Sequence, residues 1–147
     1  MTDYRNTLKQ NLAEADYDRL MAIPNPGVHA FVADAVDLCR PAAVVVQDDS
    51  AEHREETRRQ AVETGEEARL AIEGHTVHFD SYYDQARRKD VTKYLVPHDE
   101  NLDPKLEQVG RDEGLAELED LQHGAYEGRT MLVRFFCLGP VDSVFAI

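Results

Sequence analysis

A chain of 147 residues with 42% hydrophobic content is sized for one globular domain, and such a domain buries about two-thirds of its unfolded surface. Twenty-nine acidic against 16 basic residues leave a formal charge of −13, which argues against nucleic-acid backbones and anionic membranes as partners, because both demand net positive surface. The longest apolar runs, AAVVV (42–46) and FFCLGPV (135–141), are far too short to span a bilayer, and MTDYRNTLKQ at the start lacks the order of a signal peptide, so a cytoplasmic protein is expected.

Taken in chain order, residues 2 to 22 read as one amphipathic helix, with Leu8, Leu12, Ala15, Arg19 and Met21 marking an uneven stripe. PNPG (24–27) stops it. Val28, Phe31, Val32, Ala35 and Leu38 then recur at the three-four spacing of a buried helical face, which runs to Cys39 and is closed by Pro41. AAVVVQ (42–47) is a β-branched run of the kind buried in an α/β sheet. Asp49 or Ser50 can cap the polar helix that follows, which ends at Gly65 and belongs on the outside.

The segment 68–80 offers two short strands around Gly74, and TKYLVP (92–97) offers another. NLDP (101–104) starts a turn, and EGLAELEDLQHGAYEG (113–128) reads as a helix with Leu115, Leu118 and Leu121 on one side. RTMLVRFFCLGP (129–140) is the most strand-like stretch until Gly139-Pro140, and SVFAI (143–147) reads as a further strand cut short. Helix–strand alternation with several short strands predicts an α/β lobe, a mixed sheet flanked by helices.

Few motifs carry chemistry by themselves. His75, His78 and Asp80 hold ligand-type atoms, but His75 and His78 fall on opposite faces of a strand, and two ligands sharing a face are too few for a metal. Cys39 and Cys137 sit far apart in apolar runs, which predicts two buried, inert thiols rather than a disulfide or a nucleophile. No phosphate loop of the Gly-Lys-Ser/Thr type and no G-x-G-x-x-G is present.

What remains is HFDSYYDQARRKDVTKYLV (78–96), where so acidic a chain gathers Arg87, Arg88, Lys89 and Lys93 beside three tyrosines and three aspartates. Surface pairing of Arg87, Arg88 and Lys89 with Asp80, Asp84 and Asp90 is the ordinary account, and such pairs contribute little. The sharper account is an arginine held for a small anion, since guanidinium grips carboxylate or phosphate through two parallel hydrogen bonds. Composition does not choose between them.

Three stretches together resemble one family. LCRPAAVVVQDDSAEH (38–53), YDQARRKDVTKYLVP (83–97) and EGRTMLVRFFCLGP (127–140) are similar, in order and spacing, to segments near the start of GTP-dependent phosphoenolpyruvate carboxykinase, in wording closest to its archaeal branch. The similarity covers the chain from about residue 28 onward. It implies an N-terminal, substrate-binding domain over residues 1–147 of a gluconeogenic lyase that turns oxaloacetate and GTP into phosphoenolpyruvate, CO2 and GDP. In that family a manganese ion and Mg-GTP take part, the metal stabilising the enolate left by decarboxylation before phosphoryl transfer.

The resemblance further places Arg87 on the arginine that grips a substrate carboxylate. The family's nucleotide loop, metal-binding Lys, His and Asp, second substrate arginine and lid all correspond to positions beyond residue 147, so no catalytic, metal or cofactor residue is carried over, and GTP and the metals would meet another part of the protein. The segment alone is expected to be a monomer without carboxykinase activity. A free-standing module that holds a dicarboxylate without turning it over is the competing reading.

Overall fold

A computed structural model describes residues 4–79, 92–98, 100–140 and 142–144. The α/β expectation holds: the described residues form five helices and six short strands, and the strands pair both parallel and antiparallel in three separate two-stranded sheets. The chain divides into two compact units, Asp49–Leu118 and the segments on either side of it. None of the described helices is long and apolar enough to cross a membrane.

The flanking segments form the first unit. Where the sequence suggested one helix over 2–22, there are two, α1 (Tyr4–Asn11) and α2 (Glu14–Met21). The break has a cause in tertiary structure. Leu12 leaves the helical path to form a parallel bridge with Val44, and Ala13 is extended at φ −62°, ψ 154°. Helix α3 (Pro26–Cys39) starts two residues earlier than its apolar periodicity suggested. Asn25 is its N-cap, accepting from the amides of Gly27 at 3.0 Å and Val28 at 3.4 Å, and Pro26 takes the first helical position, where no amide hydrogen is needed.

At the other end of α3, Arg40 adopts a left-handed conformation (φ 52°), and Pro41 prevents continuation. The last carbonyls of α3 are not left bare. The amides of Gly124 and Tyr126 donate to Leu38 and Cys39 at 2.9 and 3.0 Å. The chain then enters β1 (Ala43–Val46), which pairs in parallel with β6 (Thr130–Val133), Val44 opposite Met131 and Val46 opposite Val133.

Leu8, Leu12, Leu20, Val32, Ala33, Val36, Cys39, Val44, Val46 and Met131 make one buried cluster, with Leu8 and Leu20 fully enclosed. Phe31 was expected on the buried face of α3 but is 74% exposed. Val32, Ala33 and Val36 fill the cluster, so the buried stripe runs beside Phe31 rather than through it.

Few of the described residues of the second unit, Asp49–Leu118, are buried. Helix α4 (Ala51–Glu63) buries none of its residues, as its polar sequence predicts, and Ser50 Oγ caps it by accepting from the His53 amide at 3.3 Å. β2 (Ala68–Arg69) and β3 (Thr76–Val77) form a short antiparallel hairpin that turns through Gly74 at φ 74°. β4 (Tyr94–Val96) pairs in parallel with β5 (Gln108–Gly110), a strand too short to show in the sequence pattern.

Helix α5 (Arg111–Gln122) follows β5 at once. Its leucines are not what it buries: Leu118 and Leu121 are 45% and 69% exposed, while Gly114 is the buried residue. A side chain at Gly114 would run into Leu95 and Val109, so the missing Cβ is what lets α5 approach the β4–β5 pair.

The long strand expected at 129–140 is shorter than its composition implied. β6 ends at Val133, and Phe135, Phe136 and Leu138 lie outside any strand. Cys39 is buried as anticipated, but Cys137 is exposed, because Phe136 and Leu138 on either side of it are 81% and 94% exposed and shield nothing. Of the strand expected at 143–147, residues 145–147 lie outside the described residues; the amide of Ser143 donates to Pro140 in a turn at 2.9 Å.

Candidate functional site

Arg87, the residue that the sequence singles out, belongs to the stretch 80–91, which lies outside the described residues, as do Arg88, Lys89 and their suggested partners Asp80, Asp84 and Asp90. The ends of that stretch are described. On one side, β3 leads to His78, whose Nδ1 donates to the Glu66 carbonyl at 2.6 Å, and then to Phe79, 83% exposed. On the other side, Lys93 Nζ lies 3.6 Å from Glu117 Oε2, and the Tyr94 amide donates to the Glu107 carbonyl at 2.9 Å as β4 begins. Lys93, one of the four basic residues gathered in 78–96, is thus engaged by a carboxylate of α5. Both groups are about half exposed, so the pair is worth well under about 1 kcal/mol.

The two histidines considered as metal ligands are turned toward the backbone. His75 Nδ1 contacts the Glu73 carbonyl at 3.1 Å, and His78 Nδ1 the Glu66 carbonyl. A carbonyl only accepts, so each Nδ1 carries the proton, which leaves Nε2 as the ring nitrogen with a lone pair. Among the described residues no three His, Cys, Asp or Glu side chains converge as a metal shell, and Asp80, the third candidate, lies outside them.

The first unit holds a polar network that the sequence reading missed. It sits where β1 and β6 end, the carboxyl edge of a parallel pair. Asp16 Oδ1 accepts from the Val46 amide at 2.8 Å and from Arg19 Nη1 at 2.9 Å. Arg19 Nη1 also donates to the Val46 carbonyl at 2.6 Å, and its Nε lies 3.4 Å from Asp48 Oδ2. One turn of α2 therefore satisfies both backbone groups of Val46. Beyond it, Gln47 is buried, donates its amide to Val133 at 2.9 Å, and accepts on Oε1 from Arg134 Nε. Arg19 had been placed on the apolar stripe of a single helix. Its true signal was the Asp16–Arg19 spacing of three, one helical turn apart.

Buried His29 was also missed. Its Nε2 donates to the carbonyls of Leu20 at 3.1 Å and Ile23 at 2.8 Å, closing the end of α2, while its ring tilts against Tyr4 with centroids 6.0 Å apart. This is a structural histidine. Both contacts are to carbonyls, so neither prepares the ring as a base.

Sequence comparison settles the lineage. A family described as phosphoenolpyruvate carboxykinase N-terminal domain matches residues 30–147. The chain belongs to that family. Among its relatives, phosphoenolpyruvate carboxykinase [GTP] of Pyrococcus abyssi is 44% identical over 140 residues, 95% of this chain and 22% of the relative. The protein of the same name from Pyrococcus furiosus is 40% identical over 147 residues, all of this chain and 23% of the relative. A bacterial one, from Corynebacterium efficiens, is 31% identical over 116 residues, 77% of this chain and 19% of the relative, which agrees with the archaeal wording of the motifs. The chain thus spans about a fifth of the length of these relatives. In this chain the three stretches that carried the resemblance include the end of α3 with β1 and the start of α4, the strand β4, and β6.

Proposed function

We propose that this chain supplies the N-terminal, substrate-binding part of a GTP-dependent phosphoenolpyruvate carboxykinase, a cytoplasmic gluconeogenic enzyme. Its reaction would decarboxylate oxaloacetate and phosphorylate the product to phosphoenolpyruvate, leaving CO2 and GDP. The observation that carries this reading is the family match over 30–147, together with 40–44% identity to proteins of that name across 95–100% of the chain. Arg87 is the residue assigned a role. Its guanidinium would hold a carboxylate of oxaloacetate or phosphoenolpyruvate by two parallel charge-assisted hydrogen bonds, positioning the acid without exchanging a proton. GTP and the divalent ions would be held by the portion of the longer proteins that this chain does not span.

The test is Arg87→Ala in the full-length carboxykinase that carries this segment. Losing a bidentate contact to a charged group removes about 1.5–3 kcal/mol, so kcat/KM for oxaloacetate should fall about 10- to 150-fold, with KM for GTP little changed. Unchanged KM and kcat would overturn the role of Arg87. Absence of GTP-dependent oxaloacetate decarboxylation in the unsubstituted full-length protein would overturn the enzyme itself.

A further inference from the structure

Two arginines of α4 are treated differently from their neighbour. Arg59 holds Glu56 and Glu63 in ion pairs, the ordinary arrangement on an exposed helix. Arg54 and Arg58, one turn apart, meet no carboxylate among the described residues. Partners are not lacking, since Glu52, Glu55 and Glu56 lie within a turn of Arg54 and the chain holds 29 acidic residues against 16 basic. Each instead spends one donor on the backbone. Arg54 Nη1 donates to the Asp49 carbonyl at 2.7 Å, and Arg58 Nη1 donates to the Gly74 carbonyl at 3.1 Å, where the β2–β3 hairpin turns.

Those two bonds tether the guanidinium groups while leaving their charge uncompensated. A guanidinium has five N–H donors, and the backbone takes one from each. Between them lies an open depression of about 230 Å3, lined by Ala51, Arg54, Glu55 and Arg58. These positions fall at spacings of three, four and seven, so they share one face of the helix. The volume is below that of a pocket for a drug-sized ligand and suits a small ion. A tethered guanidinium has already lost part of the rotamer freedom that a mobile surface arginine gives up on meeting a ligand. Glu55, on the same wall and unpaired with either arginine, leaves the lining with one net positive charge.

We propose that Arg54 and Arg58 together bind a small anion in this depression, a phosphate or carboxylate group bridged between the two guanidinium forks. The site is separate from Arg87 and does not depend on that assignment.

The test is a titration of the 15N-labelled 147-residue chain with inorganic phosphate and, separately, with malonate, following the Nε–Hε signals of Arg54 and Arg58 against potassium chloride at matched ionic strength. Both signals should shift saturably with one shared midpoint, on the order of 1–10 mM. Arg54→Gln and Arg58→Gln should each weaken binding about 10-fold or more. Glu55→Gln should tighten it several-fold, because a like charge leaves the wall; a structural role for the arginines alone gives no such gain. Arg54→Gln disturbs only a contact beside the helix start, so it tests the site even where Arg58→Gln loosens the hairpin. Saturation by phosphate alone assigns a phosphate group, and saturation by malonate alone assigns a carboxylate. Shifts matched by potassium chloride, no saturation with either anion, or unchanged binding in Arg54→Gln overturns the proposal. So do different midpoints at the two arginines, or binding that Glu55→Gln does not tighten.

Discussion

At the scale of single residues, Asp16 and Arg19 do the most with the least sequence signal. Asp16 is one of 29 acidic residues in the chain, and nothing in its neighbours separates it from a solvated carboxylate. Folding gives it the Val46 amide, and Arg19 takes the Val46 carbonyl, so one side-chain pair replaces the ladder partners that a strand end would otherwise need. Asp16→Ala leaves a strand amide and a guanidinium without their shared acceptor. Hydrogen bonds to charged groups are worth about 1.5–3 kcal/mol, so the unfolding free energy should fall by about that much, seen as a lower urea midpoint with an unchanged m-value. A variant as stable as the parent would show that water replaces the carboxylate without loss. Cys137 teaches the same lesson in reverse: apolar neighbours in sequence imply burial only when those neighbours are themselves buried.

At the scale of elements, α4 shows what a helix does when it has no core to join. It buries no residue, and its stability must come from its Ser50 cap and from pairs along its own surface. Arg59 provides these, gripping both oxygens of Glu56 at 2.5 and 2.8 Å and reaching Glu63 at 2.5 Å. The hydrogen bonds from Arg59, then that from Gln60, hold the Glu56 carboxyl below its ordinary value, and Arg59 is held still more firmly in its charged form. The direction of the pH effect follows. A carboxyl whose value is lowered on folding contributes fully above its unfolded value and loses that contribution as pH falls through the lowered one. Amide exchange or carbon chemical shifts along Ala51–Glu63 should therefore report fraying as pH drops below the ordinary carboxylate range of about 4. Glu56→Gln should flatten that dependence, and high salt should weaken it, because the pair is exposed. Fraying of the same size in Glu56→Gln would assign it to other groups.

At the scale of the whole molecule, the described interior is unevenly shared. Of the buried hydrophobic residues, Val96 alone belongs to Asp49–Leu118; the other ten form the cluster of the first unit. Local stability follows buried apolar contact, so native-state hydrogen exchange should find the strongest protection in α3 and β1. Amides of β2, β3, β4 and β5 should exchange at least about 10-fold faster. Equal protection in the two units would mean that something other than apolar burial holds the second.

The sequence by itself determined whatever depends on near neighbours in the chain. Pro41 ends α3, Ser50 starts α4, Gly74 turns the β2–β3 hairpin, and the β-branched run at 43–46 becomes a buried strand, because each rests on local backbone preference or on residue type. The three family motifs were legible for a different reason: they are strings, and strings can be matched without knowing where their side chains go. Tertiary structure alone decided the rest. The break at Leu12–Ala13 exists because Val44, 32 residues on, offers a bridge. Phe31 faces out because the packing of α3 selects Val32, Ala33 and Val36. Asp16 meets Val46, and Arg134 meets Gln47 across 87 residues, and no periodicity of two or 3.6 encodes such distant pairings.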